Sequence, residues 1–170
     1  MIKMELVLEL EDPLSIWPQG LHEDTHAILQ DGLNHYLNHI NQSHHLCDKD
    51  SIQIDVYLAD DEALQALNRQ WRNMDKPTNI LSFGNRFDVN HGNFLLPFPL
   101  GNLALSWQRL QDEAKREGKK IEHHYTHLLI HGLLHLLGED HEEETQAEQM
   151  EQAEITILAT RNIPNPYSSH

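Results

Sequence analysis

The 170-residue sequence holds one cysteine, Cys47, so it can form no internal disulfide and cannot build a cysteine-rich zinc module. A lone thiol fits a reducing compartment. Nothing beside Cys47 in sequence would activate it, so it reads as a buried or incidental thiol rather than a nucleophile. Long apolar runs are missing too: the most apolar stretch, LLIHGLLHLLG, is broken by two histidines and falls well short of the roughly 20 residues that cross a bilayer. The opening MIKMELVLELEDP alternates apolar and charged residues instead of following a basic region with an apolar one. No export signal is therefore expected, and the chain reads as soluble and cytoplasmic, with no membrane partner. Basic residues are also scarce, 12 Lys and Arg against 27 Asp and Glu, for a formal net charge of -15. That balance argues against holding nucleic acid by bulk electrostatics, which needs clustered Lys and Arg. The scarcity is uneven, because nine of the twelve basic residues lie between Arg69 and Lys120 while Glu139, Asp140, Glu142 to Glu144, Glu148, Glu151 and Glu154 crowd the carboxyl-terminal region. A locally basic face remains open to the chain.

What is present suffices for one core. The length suits a single domain spanning residues 1–170, and 39% hydrophobic with 23% charged residues is far from a disordered composition. Residues 2 to 10 alternate as a strand ended by Glu11, Asp12 and Pro13, and helical spacing of Ile28, Leu29, Leu33, Tyr36, Leu37 and Ile40 predicts a helix from about His22 to Ile40. Ile52, Ile54, Val56 and Leu58 make a second strand, after which Asp60 or Asp61 caps a helix carrying Leu64, Leu67 and Trp71. A short strand at Asn79 to Phe83, a long loop from Gly84 to Pro99 and a strand at Leu103 to Leu105 follow. Ser106 caps a helix that Gly118 ends, a helix over about 121 to 137 carries the histidines, and an acidic helix from Glu142 to about Thr160 offers Met150, Ala153, Ile157 and Leu158 as its packed face.

The most informative segment is His131-Gly-Leu-Leu-His135-Leu-Leu-Gly138-Glu-Asp-His141. Residues four apart on a helix point the same way, so His131 and His135 can aim two imidazoles at one ion. Gly138 can take a positive φ, end the helix and let His141 approach from another side. Three neutral imidazoles suit one zinc ion, though nickel and copper would also bind such a set, and three protein ligands instead of four leave a position open for chemistry. The spacing equals that of the metzincin proteases, but Gly132 stands where those enzymes carry their general-base glutamate. The cage is kept without that base, and a glycine inside a helix suggests that something approaches the backbone beside His131. His123, His124 and His127 read more simply as packed or solvated side chains, with His127 a candidate second-sphere group.

These residues resemble the YbeY endoribonucleases, whose histidine motif is close to HGxLHLxGYDH. The likeness extends through Leu67-Asn-Arg-Gln-Trp-Arg72-Asn-Met-Asp-Lys-Pro-Thr-Asn-Ile-Leu-Ser-Phe83, similar to the family's LNxxYRxxDxPTDVLSF, through Leu100-Gly-Asn-Leu103, and on to the Met150 to Leu158 helix and Pro166-Tyr167. It implies an α+β fold with a mixed sheet of about four strands flanked by helices and a zincin-like metal-site helix. It also implies a metal-dependent, single-strand-preferring endoribonuclease of ribosomal RNA maturation, chiefly of the small subunit, and of ribosome quality control. RNA and ribosomal or small-subunit assembly proteins would be the partners. His131, His135 and His141 would hold the metal, and Arg72 would be the functional arginine. On its own Arg72 could equally pair with a carboxylate at the end of its helix; the resemblance favours a phosphate, which suits a planar guanidinium. Two positions depart from the family: Glu139 replaces a tyrosine and Asn102 an aspartate. The rival readings are a ribosome-associated binding protein with a bracing metal and a metalloprotease-like hydrolase, which Gly132 disfavours.

Overall fold

The computed structural model describes residues 2–10, 20–84 and 97–168. Alternating side chains build its strands. In β1 (Lys3–Leu10) Met4 is buried between exposed neighbours, and in β2 (Ser51–Ala59) Ile52, Ile54, Val56 and Leu58 fill the core while Gln53, Asp55 and Tyr57 take the opposite face. With β3 (Ile80–Gly84) and β4 (Phe98–Ser106) they form one sheet in the order β1-β2-β4-β3. β1 and β4 flank β2 in parallel, and β3 runs antiparallel to β4. This is the mixed four-stranded sheet of the expected α+β fold.

One boundary moves. Phe98 and Pro99, expected in the loop, open β4, opposite Ile52 and Gln53. The register then skips Leu100, since Ile54 pairs with Gly101, and a proline that cannot donate to the ladder sits beside that bulge. Residues 85–96, which hold most of the expected loop, lie outside the described residues, as do Glu11, Asp12 and Pro13.

Five α-helices are described: α1 (Leu21–His35), α2 (Asp61–Arg72), α3 (Trp107–Glu117), α4 (Ile121–Leu136) and α5 (Glu144–Ala159). The first is shorter than its apolar spacing suggests. Tyr36–Ile40 continue it as a π-helical turn, closed by the Asn41 amide donating to the Tyr36 carbonyl at 2.8 Å. Asp60 caps α2 by accepting from the Ala63 amide, leaving Asp61 free to receive both the Ser106 hydroxyl and the Arg109 guanidinium. Ser106 caps α3, and Gly118 ends it at φ +66°. Asn73, at φ 55°, turns the chain directly after Arg72. At the free edge of β1, Gln30 and His26 of α1 satisfy the backbone of Ile2 and Met4. Among the described residues no helix is long and apolar enough to cross a membrane.

The main core joins one sheet face to α1, α3, α4 and α5, while a smaller cluster of Ala59, Leu64, Leu81 and Ala104 joins the other face to α2. Gly132 lets α4 lie close on that sheet: a Cβ there would come within 2.7 Å of Leu103 Cδ2 and 2.9 Å of Ile80 Cδ1. What approaches the backbone beside His131 is thus the sheet itself. Gly132→Ala is expected to lower the melting temperature by a few degrees in a thermal unfolding scan. Overpacking at about 1–3 kcal/mol outweighs a helix-propensity gain of about 1 kcal/mol. An unchanged melting curve would mean that Leu103 and Ile80 give way without cost.

Candidate metal centre

His131 and His135 lie one turn apart on α4, with their Nε2 atoms 3.2 Å from each other. Gly138 ends the helix at φ +102°, and the chain doubles back so that His141 stands over both rings, 5.9 and 5.0 Å from them between centroids. One ring nitrogen from each histidine lies within 4.8 Å of the others, so the three could hold a metal ion. Zinc–nitrogen bonds of about 2.0–2.1 Å in a tetrahedron put two ligand nitrogens about 3.3 Å apart, close to the spacing of the first pair.

The protonation pattern fits an ion as well. His131 Nδ1 meets the Glu154 carboxylate in a short hydrogen bond, and His135 Nδ1 donates to the Glu139 carbonyl at 3.1 Å. With both Nδ1 atoms engaged by outward acceptors, the two Nε2 atoms face each other at the cleft, where a single ion could accept a lone pair from each. Burial, and then the neighbouring His131 and His141, push the pKa of His135 down, which keeps its imidazole neutral and able to ligate.

Glu154 is fully buried. Burial pushes its pKa up, yet hydrogen bonding from His127, His131 and Tyr167 outweighs this and holds the carboxyl at about 2. It is therefore an anion that fixes the His131 tautomer and ring orientation, the arrangement common behind metal-ligating histidines. The sequence reading placed Glu154 in an acidic crowd and missed this role. The available signal was its position in helical register with Met150, Ala153, Ile157 and Leu158, where a solvated charge does not belong. His127 is packed, its Nε2 3.6 Å from Glu154 and its ring edge to face with that of His131. His124 pairs with Glu113 instead.

An open cleft of about 580 Å³ holds the triad together with Arg72, Ser82 and Glu139. Arg72 donates from Nη2 to the Ser82 carbonyl at 2.5 Å, and its guanidinium lies over the Phe83 ring. Among the described residues no carboxylate pairs with it. Arg69 pairs loosely with Asp75, Lys76 is exposed, and Arg86 lies outside the described residues. Asp140 and Glu142 also line the cleft, and Asp140 accepts from the His141 amide. Glu139 is held by the buried Tyr36, whose hydroxyl donates to it at 2.8 Å; burial and then this bond push the tyrosine up to about 12. His44 adds a second tie, through Nε2 to the Leu137 carbonyl. The turn that presents His141 is thus clasped by Tyr36 of the π-helical turn and by His44 beyond it. Asn102 lies elsewhere, in an apolar recess under α2 with Tyr57 and Trp71. Cys47 is exposed and is not among the residues lining the cleft.

Over most of its length the chain is similar to known proteins. The family described as Endoribonuclease YbeY matches residues 20–162. A Magnetococcus marinus protein named endoribonuclease YbeY is 48% identical over 125 residues, covering 68% of this chain and 83% of that one. A Rhodopseudomonas palustris (strain HaA2) protein of the same name is 43% identical over 125 residues, 71% of this chain and 64% of its own length. A Thermotoga maritima protein solved in solution shares the fold, with a TM-score of 0.50 at 20% identity over 97% of each chain. With residues 20–162 matched by the family model and a relative 48% identical over 125 residues, the chain belongs to the YbeY endoribonuclease family.

Proposed function

We propose that this protein is a zinc-dependent endoribonuclease that cuts single-stranded RNA, working in the cytoplasm on small-subunit ribosomal RNA and in ribosome quality control. The observation that carries the reading is the triad itself, with the Nε2 atoms of His131 and His135 facing each other across 3.2 Å and His141 beside them, in a cleft shared with Arg72. When bound there, zinc supplies Lewis acidity, lowering the pKa of water and polarising a phosphoryl oxygen.

The remaining chemistry belongs to the chain. Glu154 and the Glu139 carbonyl hold the Nδ1 protons of His131 and His135, which keeps their Nε2 lone pairs in the cleft. Arg72 is oriented before substrate arrives, by its hydrogen bond to the Ser82 carbonyl and by the Phe83 ring beneath it. Its remaining donors suit the non-bridging oxygens of a phosphodiester as charge develops there. Peptide hydrolysis fits poorly, because a glutamate at position 132 would press against Leu103 and Ile80. The acidic side chains around the cleft and the net charge of -15 support delivery of RNA by a ribosomal partner over bulk attraction.

Chelation of the purified protein is expected to stop cleavage of a single-stranded oligoribonucleotide and zinc to restore it, while a duplex of the same sequence stays intact. Product ends then identify the attacking group, since a 2′,3′-cyclic phosphate marks the ribose hydroxyl. Undiminished cutting after the metal is removed would overturn the proposal.

A further inference from the structure

Behind the triad, the end of the chain folds back onto α4 and α5. Asn162 takes φ 60° after α5, Ile163 donates to the Leu158 carbonyl, and the Asn165 side chain accepts from the Tyr167 amide. Lys119 reaches the Pro166 carbonyl at 3.5 Å. These turns bring the Tyr167 hydroxyl to Glu154 Oε2 in a short hydrogen bond, on the carboxylate oxygen that His131 does not use. The same hydroxyl lies 3.4 Å from His127 Nε2, and the two rings meet edge to face at 5.6 Å. Tyr167 donates to Glu154 Oε2 and His131 to Glu154 Oε1, while His127 Nε2 faces both the Tyr167 oxygen and Glu154 Oε2.

A buried carboxylate bonded only by His131 could rotate about its terminal torsions, which are soft. Tyr167 closes that freedom from the other side. We propose that Tyr167 is a positioning residue for the metal centre: its hydroxyl fixes Glu154, and Glu154 fixes the His131 ring with Nε2 facing the cleft. The proposal rests on the triad holding a divalent ion and goes beyond that reading in tying the site to a residue 26 positions past the last ligand, His141.

The test is a double-mutant cycle on the full chain, with Tyr167→Phe, Glu154→Gln and the pair, read as zinc affinity by chelator competition and as the visible spectrum of the cobalt(II)-loaded protein. Tyr167→Phe is expected to weaken zinc about tenfold or more, as loss of supporting hydrogen bonds behind a ligand does. The cobalt bands should shift, while the metal-free protein melts within a few degrees of wild type. In the Glu154→Gln background the same change should add little, because its route to His131 is already cut. Equal losses in both backgrounds, or an unchanged affinity and spectrum in Tyr167→Phe, would overturn the proposal while leaving the metal site standing. Failure of the wild type to bind zinc or cobalt would remove the metal reading itself.

Discussion

His135→Ala is expected to lose the metal ion and RNA cleavage together, while the protein stays folded. The imidazole is half-buried at the cleft, so its removal opens no large core cavity, and the α-helix tolerates alanine better than histidine. Its loss leaves His131 and His141 as ligands and removes the nearer of the two nitrogens that face His131. Losing a ligand should cost affinity well beyond the roughly 10–100-fold that loss of a supporting residue costs. Zinc content by atomic spectroscopy should fall from near one ion per chain toward zero, and cleavage should fall to background. A His135→Ala protein that retains stoichiometric zinc would place the metal elsewhere.

Arg72→Ala should separate binding of the ion from chemistry. The guanidinium touches Ser82 and Phe83 and none of the three histidines, so zinc content is expected to stay at the wild-type level. Removing one preorganised donor at a developing charge costs about 10²–10³ in kcat, and that is the drop expected here with saturating RNA. Arg72→Lys should recover little, because an ammonium cannot both hold the Ser82 carbonyl and present a planar fork to phosphate. Wild-type turnover in either variant would return Arg72 to a structural role.

Much of this was legible in the sequence, for reasons that differ by element. The offsets of His131, His135 and His141 with Gly138 between the last two encode a helix, its end and a return, and those are local matters of dihedral angle and pitch. Ser106, Gly118 and the packed stripe of α5 were equally local. The π-helical turn was not, since the spacing of Tyr36, Leu37 and Ile40 looks the same until a buried tyrosine finds its partner 103 residues away. Glu154 was visible as an acidic residue, but its role depends on His131 and Tyr167 arriving from two other parts of the chain. Gly132 raised the right question, and only the packing of α4 on β4 and β3 identified the neighbour.

Arg72 also decides what the rim of the sheet can recognise. Asn79 bonds Ser106 of β4, so by alternation Ser82 points its carbonyl away from β4, off the outer side of β3. An extended peptide that docks by adding a strand needs such a carbonyl unpaired. Here the guanidinium already occupies it, beside the histidines, while at the opposite side of the sheet Gln30 and His26 occupy the start of β1. A polypeptide would therefore find one carbonyl of that edge already taken beside the histidines, whereas on the proposed function a nucleic acid, which recognises no strand, would meet a cation held ready. On the proposed function, one guanidinium would both meet phosphate and withhold that carbonyl from a docking peptide.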